Sequence, residues 1–540
     1  MKKGKVSFQI LLIGLISFLI TGIPYFYGWI HSTPAHEFIG FVEGHEDTFQ
    51  YFSFAKQAEE GNFFFEDRYT TTPHSPRLIN WVWWGLGKLM AWTGWKMAFA
   101  YQFFRFLTTF VFTVTLYIFL GRYLEGSTRL WGVILILGGG GFGGILRVFQ
   151  KLFPMIPIHF DLPDVWLVES HAFYSLMVWP HFTLAVTLIL WIFMAFLRGL
   201  ERHQGRDVFL AGILTFLLLF FHPFEFGLLF PVLSGVGFFW GLAQRKEVNW
   251  ILGSLFGLFI FSLPGLVYYV NLSHQPVWKE VMGQMALITP DPFYLSLGFG
   301  LPFFLAVLTF RGLPPLAKVT PAELLLFSWF VGGFFLLFLP VNFRWHLING
   351  WQIPLYLLAI RGLEERVIPY LQEKKARFWR RWDWRKLVYI CLFMITMLTP
   401  LYLLQSKITK MRLHFGRPPY FLHQDEVEAL KWLRTQTKPD EAVLCGAEIG
   451  QIIPAWTGNK VFLGHYCLTP DFLTKKKELR AFGDFEGVTW DRVGWLKSQK
   501  IRLVIQREAD RLSGSDDLEK KLFLKKVFQK ARIVIYQVNE

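Results

Sequence analysis

The chain has 540 residues, of which 53% are hydrophobic and 59 are Phe, too apolar and aromatic for a water-soluble protein with one or two ordinary cores. Its formal charge of +15 would suit a nucleic-acid binder, but the basic residues sit between apolar segments rather than in one patch. That distribution excludes nucleic acid and points to a membrane.

At the N-terminus Lys2, Lys3 and Lys5 precede an apolar run from Phe8 to Ile30, about the ~20 residues a helix needs to cross ~30 Å of hydrocarbon. The following HSTPAH offers no small-x-small cleavage site, so the run is expected as an uncleaved first span. Further spans are expected near 97–120, 130–146, 173–197, 208–221, 223–242, 249–270, 293–310, 321–340, 350–363 and 387–404, about eleven in all. With a cytoplasmic N-terminus, the inward loops hold Arg122 and Arg129, then Arg198, Arg202 and Arg206, then Arg245 and Lys246, then Arg311 and Lys318, and finally the basic stretch 361–386. The outward loops carry little beyond Arg147, Lys151, Lys279 and Arg344. Translocating Lys and Arg is unfavourable, so this alternation supports the topology. RFWRRWDWRK, Arg377 to Lys386, interleaves rings with cations, as an interfacial anchor among lipid headgroups does. GGGGFGG, Gly138 to Gly144, allows close helix packing or a break in the third span.

Beyond about residue 405 the pattern changes. VEALKWLR has helical spacing, whereas AVLCG, KVFLG, IRLVIQ and ARIVIYQV read as short strands. The expected fold is therefore an all-α polytopic membrane domain, 1–404, including a long first external loop 31–96, followed by an extracytoplasmic α/β domain, 405–540. No Gly-rich nucleotide loop follows any strand of the tail. Cys391, Cys445 and Cys467 form neither a disulfide framework nor a zinc-ligand spacing, although the last two are open to pairing in an oxidising compartment.

Ionisable groups near a membrane face are costly and need a reason. This topology collects several on the outer side: His45, Glu46 and Asp47 in the first loop, Glu169 and His171 in the second, and His181 just inside the next helix. His222 and Glu225 follow at a hinge, with Arg344 and His346 at the end of a span. Each has a structural reading. Asp47 with Gln50 three residues later fits a helix N-cap and capping box. His181 and His222 adjoin prolines whose freed backbone they can satisfy, and Arg344 suits an interface cation. Taken together they suit a lipid-linked anionic substrate, with Asp47 as a base and Arg344 as a phosphate partner.

These residues resemble the GT-C superfamily of membrane glycosyltransferases. The resemblance lies in Gly44 to Met90, where an acidic residue precedes an amphipathic stretch, an aromatic segment ending in Tyr-Thr, and a Pro-containing approach to the second span. Weaker matches are Val168 to Phe182, Phe220 to Gly227, Val341 to Leu355 and, in the tail, Ala447 to Thr469. The resemblance implies an inverting transferase that uses a polyprenyl-phosphate sugar, with Asp47 as general base, Glu46 as second choice, and Arg344, His222, His181 and His346 binding substrate. It leaves open a divalent metal, Mg or Mn, because His45, Glu169 and His171 offer a mixed N/O set in which E-x-H replaces D-x-D. The expected partners are the lipid-linked sugar, an acceptor of unspecified class and membrane lipid, in a bacterial plasma membrane. A secondary transporter and a non-catalytic envelope assembly protein are the competing readings; the first lacks paired interrupted helices in matching halves.

Overall fold

A computed structural model describes residues 8–155, 162–283, 291–311, 314–373, 383–483, 491–508, 518 and 521–539. Lys2, Lys3 and Lys5, and residues 377–382 of the aromatic and basic stretch, lie outside the described residues. The described chain is mostly helical. Among the described residues six helices have the length and apolarity to cross a membrane: Phe8–Ile30, Met97–Leu120, Pro180–Arg202, Pro223–Ala243, Arg245–Ser273 and Trp384–Leu413. The helix Phe8–Ile30 leaves Leu12, Leu15, Leu19 and Ile23 exposed, a stripe that suits lipid and would be costly in water.

The expected third span is a bent pair, Gly126–Gly138 and Gly143–Leu152, with 52° between its halves. The remaining four of the eleven expected spans are shorter than a full crossing: Gly205–Leu219, Pro292–Leu308, Pro321–Leu336 and Gln352–Gly362. Nearly every residue of Gln352–Gly362 is buried. A helix enclosed by protein has its ends satisfied by protein groups and is free of the length rule that lipid imposes. The glycine run explains the bend. Asp164 Oδ2 accepts the N–H groups of Gly141 and Gly143, both at 3.0 Å, and the Thr399 hydroxyl at 2.8 Å. A Cβ at Gly141 would lie 1.9 Å from the Gly298 carbonyl oxygen, so only glycine permits that approach.

The chain divides into two compact units. The first holds Met1–Ile23, Phe103–Tyr269 and Leu287–Lys407; the second holds Pro24–Gln102, Val270–Ala286 and Ile408–Glu540. The second unit thus joins the first loop to the tail, whereas the sequence reading keeps 31–96 with the spans.

In this second unit β1 (His36–Phe38) pairs antiparallel with β2 (Phe421–His423). Strands β3 (Ala442–Leu444), β4 (Ile501–Arg507), β5 (Leu524–Lys530) and β6 (Ile533–Val538) form a sheet in the order β3-β4-β6-β5, parallel only between β3 and β4. Its core gathers Leu444, Phe462, Leu496, Val504 and Tyr536. KVFLG makes only a bridge, Val443 to Val461, and the Lys-rich β5 is a strand the apolar pattern did not signal. Cys391, Cys445 and Cys467 are all free.

Candidate functional site

In the first unit, three short 3-10 turns, Val168–Ser170, Pro223–Glu225 and Arg344–Ile348, and the Pro-led start of Pro180–Arg202 bring the expected polar residues together. His346 Nδ1 donates to Glu169 Oε1 at 2.6 Å. His222 Nδ1 lies 3.0 Å from Glu225 Oε1, which also accepts from Asn349 Nδ2 at 2.7 Å. The His222 ring is 6.1 Å from that of His181 and 6.0 Å from that of His346, and Phe224 stacks on His346 at 4.4 Å. Glu225 is fully buried and Glu169 nearly so; carboxylates this dry persist only with partners of this kind. A cavity of about 20 Å³ opens between Glu169, His171, Ser175, Asn349 and Gln352. That is room for roughly one water.

Arg344 is half-buried, and its Nε donates to the Val341 carbonyl at 3.0 Å within its own turn. His171 Nε2 donates to the backbone carbonyl of Asp164 at 3.0 Å, which commits that nitrogen to the fold. Among the described residues no group of three or more His, Cys, Asp or Glu side chains is disposed to hold a metal ion. His45, Glu169 and His171 therefore do not assemble as the mixed set expected for Mg or Mn; His45 belongs to the second unit.

In the second unit the helix His45–Glu59 begins at Gly44, whose φ of 59° is left-handed and suits glycine. Asp47 is consequently not the N-cap. It lies in the first helical turn with Glu46, where the partial positive charge of the helix start favours both carboxylates. The expected capping box with Gln50 is absent: Gly44 makes no side-chain cap hydrogen bond. The buried face of this helix, including Phe49, Phe52 and Ala55, packs on Trp81–Thr93 and Ala447–Trp456. Gly87 fits so closely that a Cβ there would lie 2.2 Å from the Ala55 carbonyl oxygen. The helix head is held rigidly by this packing.

Asp47 is about half exposed, at 48%, and its Oδ1 lies 3.8 Å from Nε2 of His465. Glu46 Oε1 receives a long contact, 3.5 Å, from Gln451 Nε2. Burial holds His45 below the usual histidine value, against the opposing pull of Glu46, Glu43 and Asp47. Behind them lies Asp67, buried and accepting the Tyr69 N–H at 2.8 Å. Burial pushes its carboxyl up to about 7. Lys475 donates to Thr70 at 3.0 Å, and its pKa is lowered chiefly by burial. Sequence reasoning missed His465, Asp67, Gln451 and Asp164 as functional candidates. The available signal was that Asp67, His465 and Gln451 fall in two of the segments that carry the resemblance.

The sequence matches no family model and no curated protein. Solved structures do match in fold. The aminoarabinose transferase ArnT from Cupriavidus metallidurans, bound to undecaprenyl phosphate, has a TM-score of 0.55 at 11% identity, covering 99% of this chain and 98% of that one. The mycobacterial arabinofuranosyltransferase AftD has a TM-score of 0.54 at 14% identity, covering 100% of this chain and 42% of that one. The oligosaccharyltransferase AglB from Archaeoglobus fulgidus, in complex with an inhibitory peptide and a dolichol-phosphate, has a TM-score of 0.51 at 12% identity, covering 93% and 69%. These neighbours are GT-C glycosyltransferases, and this chain is similar to them in fold.

Proposed function

We propose that this chain is a membrane glycosyltransferase that moves a sugar from a polyprenyl-phosphate donor to an acceptor, with inversion and with Asp47 as general base. The observation that carries the reading is the setting of Asp47 on a fold of this kind. A half-exposed carboxylate stands in the first turn of a helix whose other face is locked by packing. In the step, Asp47 takes the proton of the acceptor's nucleophilic X–H group as its lone pair bonds to the anomeric carbon. The bond from that carbon to the phosphate oxygen breaks, and its electron pair leaves with the polyprenyl phosphate. Arg344 is assigned to the phosphate, whose negative charge grows as the bond breaks. Glu46 is the second candidate for the base.

His222 and His346, each against a buried carboxylate, and His181 beside them, are assigned to substrate positioning. The alternation of basic loops supports an integral protein of a bacterial plasma membrane with its N-terminus in the cytoplasm and the tail outside.

The test is transfer of radiolabelled sugar from a panel of polyprenyl-phosphate sugars into membrane material, comparing wild type with Asp47→Asn at matched expression. A general base contributes roughly 10²- to 10⁴-fold, so the variant should fall by about that factor. Equal rates would remove Asp47 and turn attention to Glu46. No transfer from any donor would defeat the glycosyltransferase reading.

A further inference from the structure

His465 lies in the tail segment yet faces the carboxylate assigned as base, and its own hydrogen bonds define its chemistry. Its Nδ1 receives the backbone N–H groups of Cys467, at 3.0 Å, and Leu468, at 3.2 Å. A nitrogen that accepts two N–H bonds carries no proton, so the proton of the neutral ring is on Nε2. The ring is 2% exposed and packs beside Tyr69, with centroids 5.7 Å apart. Nε2 is buried with no hydrogen-bond partner among the described residues, and the nearest carboxylate oxygen is Asp47 Oδ1 at 3.8 Å. A buried donor left unmade costs free energy and is a strong reason for a partner to approach.

We propose that His465 is the positioning residue of the catalytic centre: its Nε2–H closes onto Asp47 Oδ1 when substrate binds and leaves Oδ2 to take the acceptor's proton. Contacts of this kind are often long in an empty site and shorten in the reactive complex. The fixed tautomer means that no proton has to be rearranged on the ring. His45 and Asp67 also act electrostatically with His465, but the carboxylate oxygen within 3.8 Å of its Nε2 is that of Asp47. On this account the tail supplies part of the centre.

The inference rests on the reading of Asp47 as base, and two variants with two readouts separate the failures. His465→Asn keeps an acceptor near the Nδ1 position, so the Cys467 and Leu468 turn survives, but it has no donor near Nε2. His465→Gln restores an N–H at that distance. The Asn variant should lower kcat by roughly tenfold to a hundredfold, the worth of one hydrogen bond to a charged group, with KM little changed. The acid limb of its pH–rate profile should move to higher pH, because a donor that favours the ionised carboxylate is gone. The Gln variant returns the donor but not the Nδ1 acceptor of the Cys467 and Leu468 N–H groups, so it should recover part of the rate.

Wild-type kcat and pH profile in His465→Asn, with Asp47→Asn inactive, would overturn the role of His465 and leave the proposed function standing. Independently of turnover, ¹⁵N-histidine solid-state spectra of the membrane-embedded protein should show a protonated Nε2 at His465, assigned by its loss in His465→Asn. Its resonance should shift in Asp47→Asn. An Nδ1-protonated ring, or a signal indifferent to Asp47, would overturn the inference even if no donor were turned over.

Discussion

Replacing Asp67 by Asn should flatten the stability of this protein between about pH 5 and pH 7, where the wild type steadily loses it. The carboxyl ordinarily ionises at 3.8 and in the fold is pushed up to about 7, chiefly by burial and against the hydrogen bond from Tyr69 and the charge of Lys475. Between those values the unfolded chain releases a proton that the folded chain keeps, so raising the pH favours unfolding. The penalty is absent below the unfolded value and complete above the folded one. Going from pH 7 to pH 5 should return about 2 kcal/mol to the wild type, or roughly 4–8 °C in Tm for a unit of this size. Asn keeps an oxygen for the Tyr69 N–H and cannot ionise. Thermal melts in detergent, followed through the fluorescence of the 23 tryptophans, give the comparison. Other groups titrate in both proteins, so the difference between the two pH slopes is the measurement. Identical slopes would refute an Asp67 carboxyl that stays protonated near neutrality.

Gly141→Ala should cost roughly 1–3 kcal/mol by overpacking, because the new methyl meets the Gly298 carbonyl oxygen at 1.9 Å. Gly332→Ala has nothing within 4 Å of its Cβ and should melt at or slightly above the wild-type temperature. His346→Phe retains a ring to stack on Phe224 but takes away the 2.6 Å partner of the buried Glu169. It should lower stability by roughly 2–3 kcal/mol, and an unchanged Tm would argue that Glu169 does not depend on that contact.

What the sequence conveyed and what it withheld follow from range. A span such as Phe8–Ile30 is written in consecutive residues, and its end at Ile30 was readable from them. The short buried helix Gln352–Gly362 was readable as apolar but not as short, because enclosure by other helices decides its length. Spacing between Asp47 and Gln50 imitated a cap; the left-handed Gly44 one turn earlier sets the true helix start, and only backbone angles reveal it. Glu169, His222 and His346 come together through contacts such as the 2.6 Å pairing of His346 with Glu169, which no spacing in the sequence shows. His465 had no local mark at all. The role proposed for it depends on two backbone N–H groups of its own turn and on a carboxylate from the other end of the chain.

The pairing of β1 with β2 joins His36–Phe38 to Phe421–His423, and this has a consequence for biogenesis. The ribosome must add about 380 residues between the two strands, which takes roughly 20 to 80 seconds at ordinary elongation rates. Throughout that interval β1 has no β2 to pair with, and the helix bearing Asp47 lacks the tail helix that packs on it. The centre proposed here is therefore assembled last, after the intervening helices have been made, and a nascent chain released before Phe421 would present an unfinished strand edge to quality control.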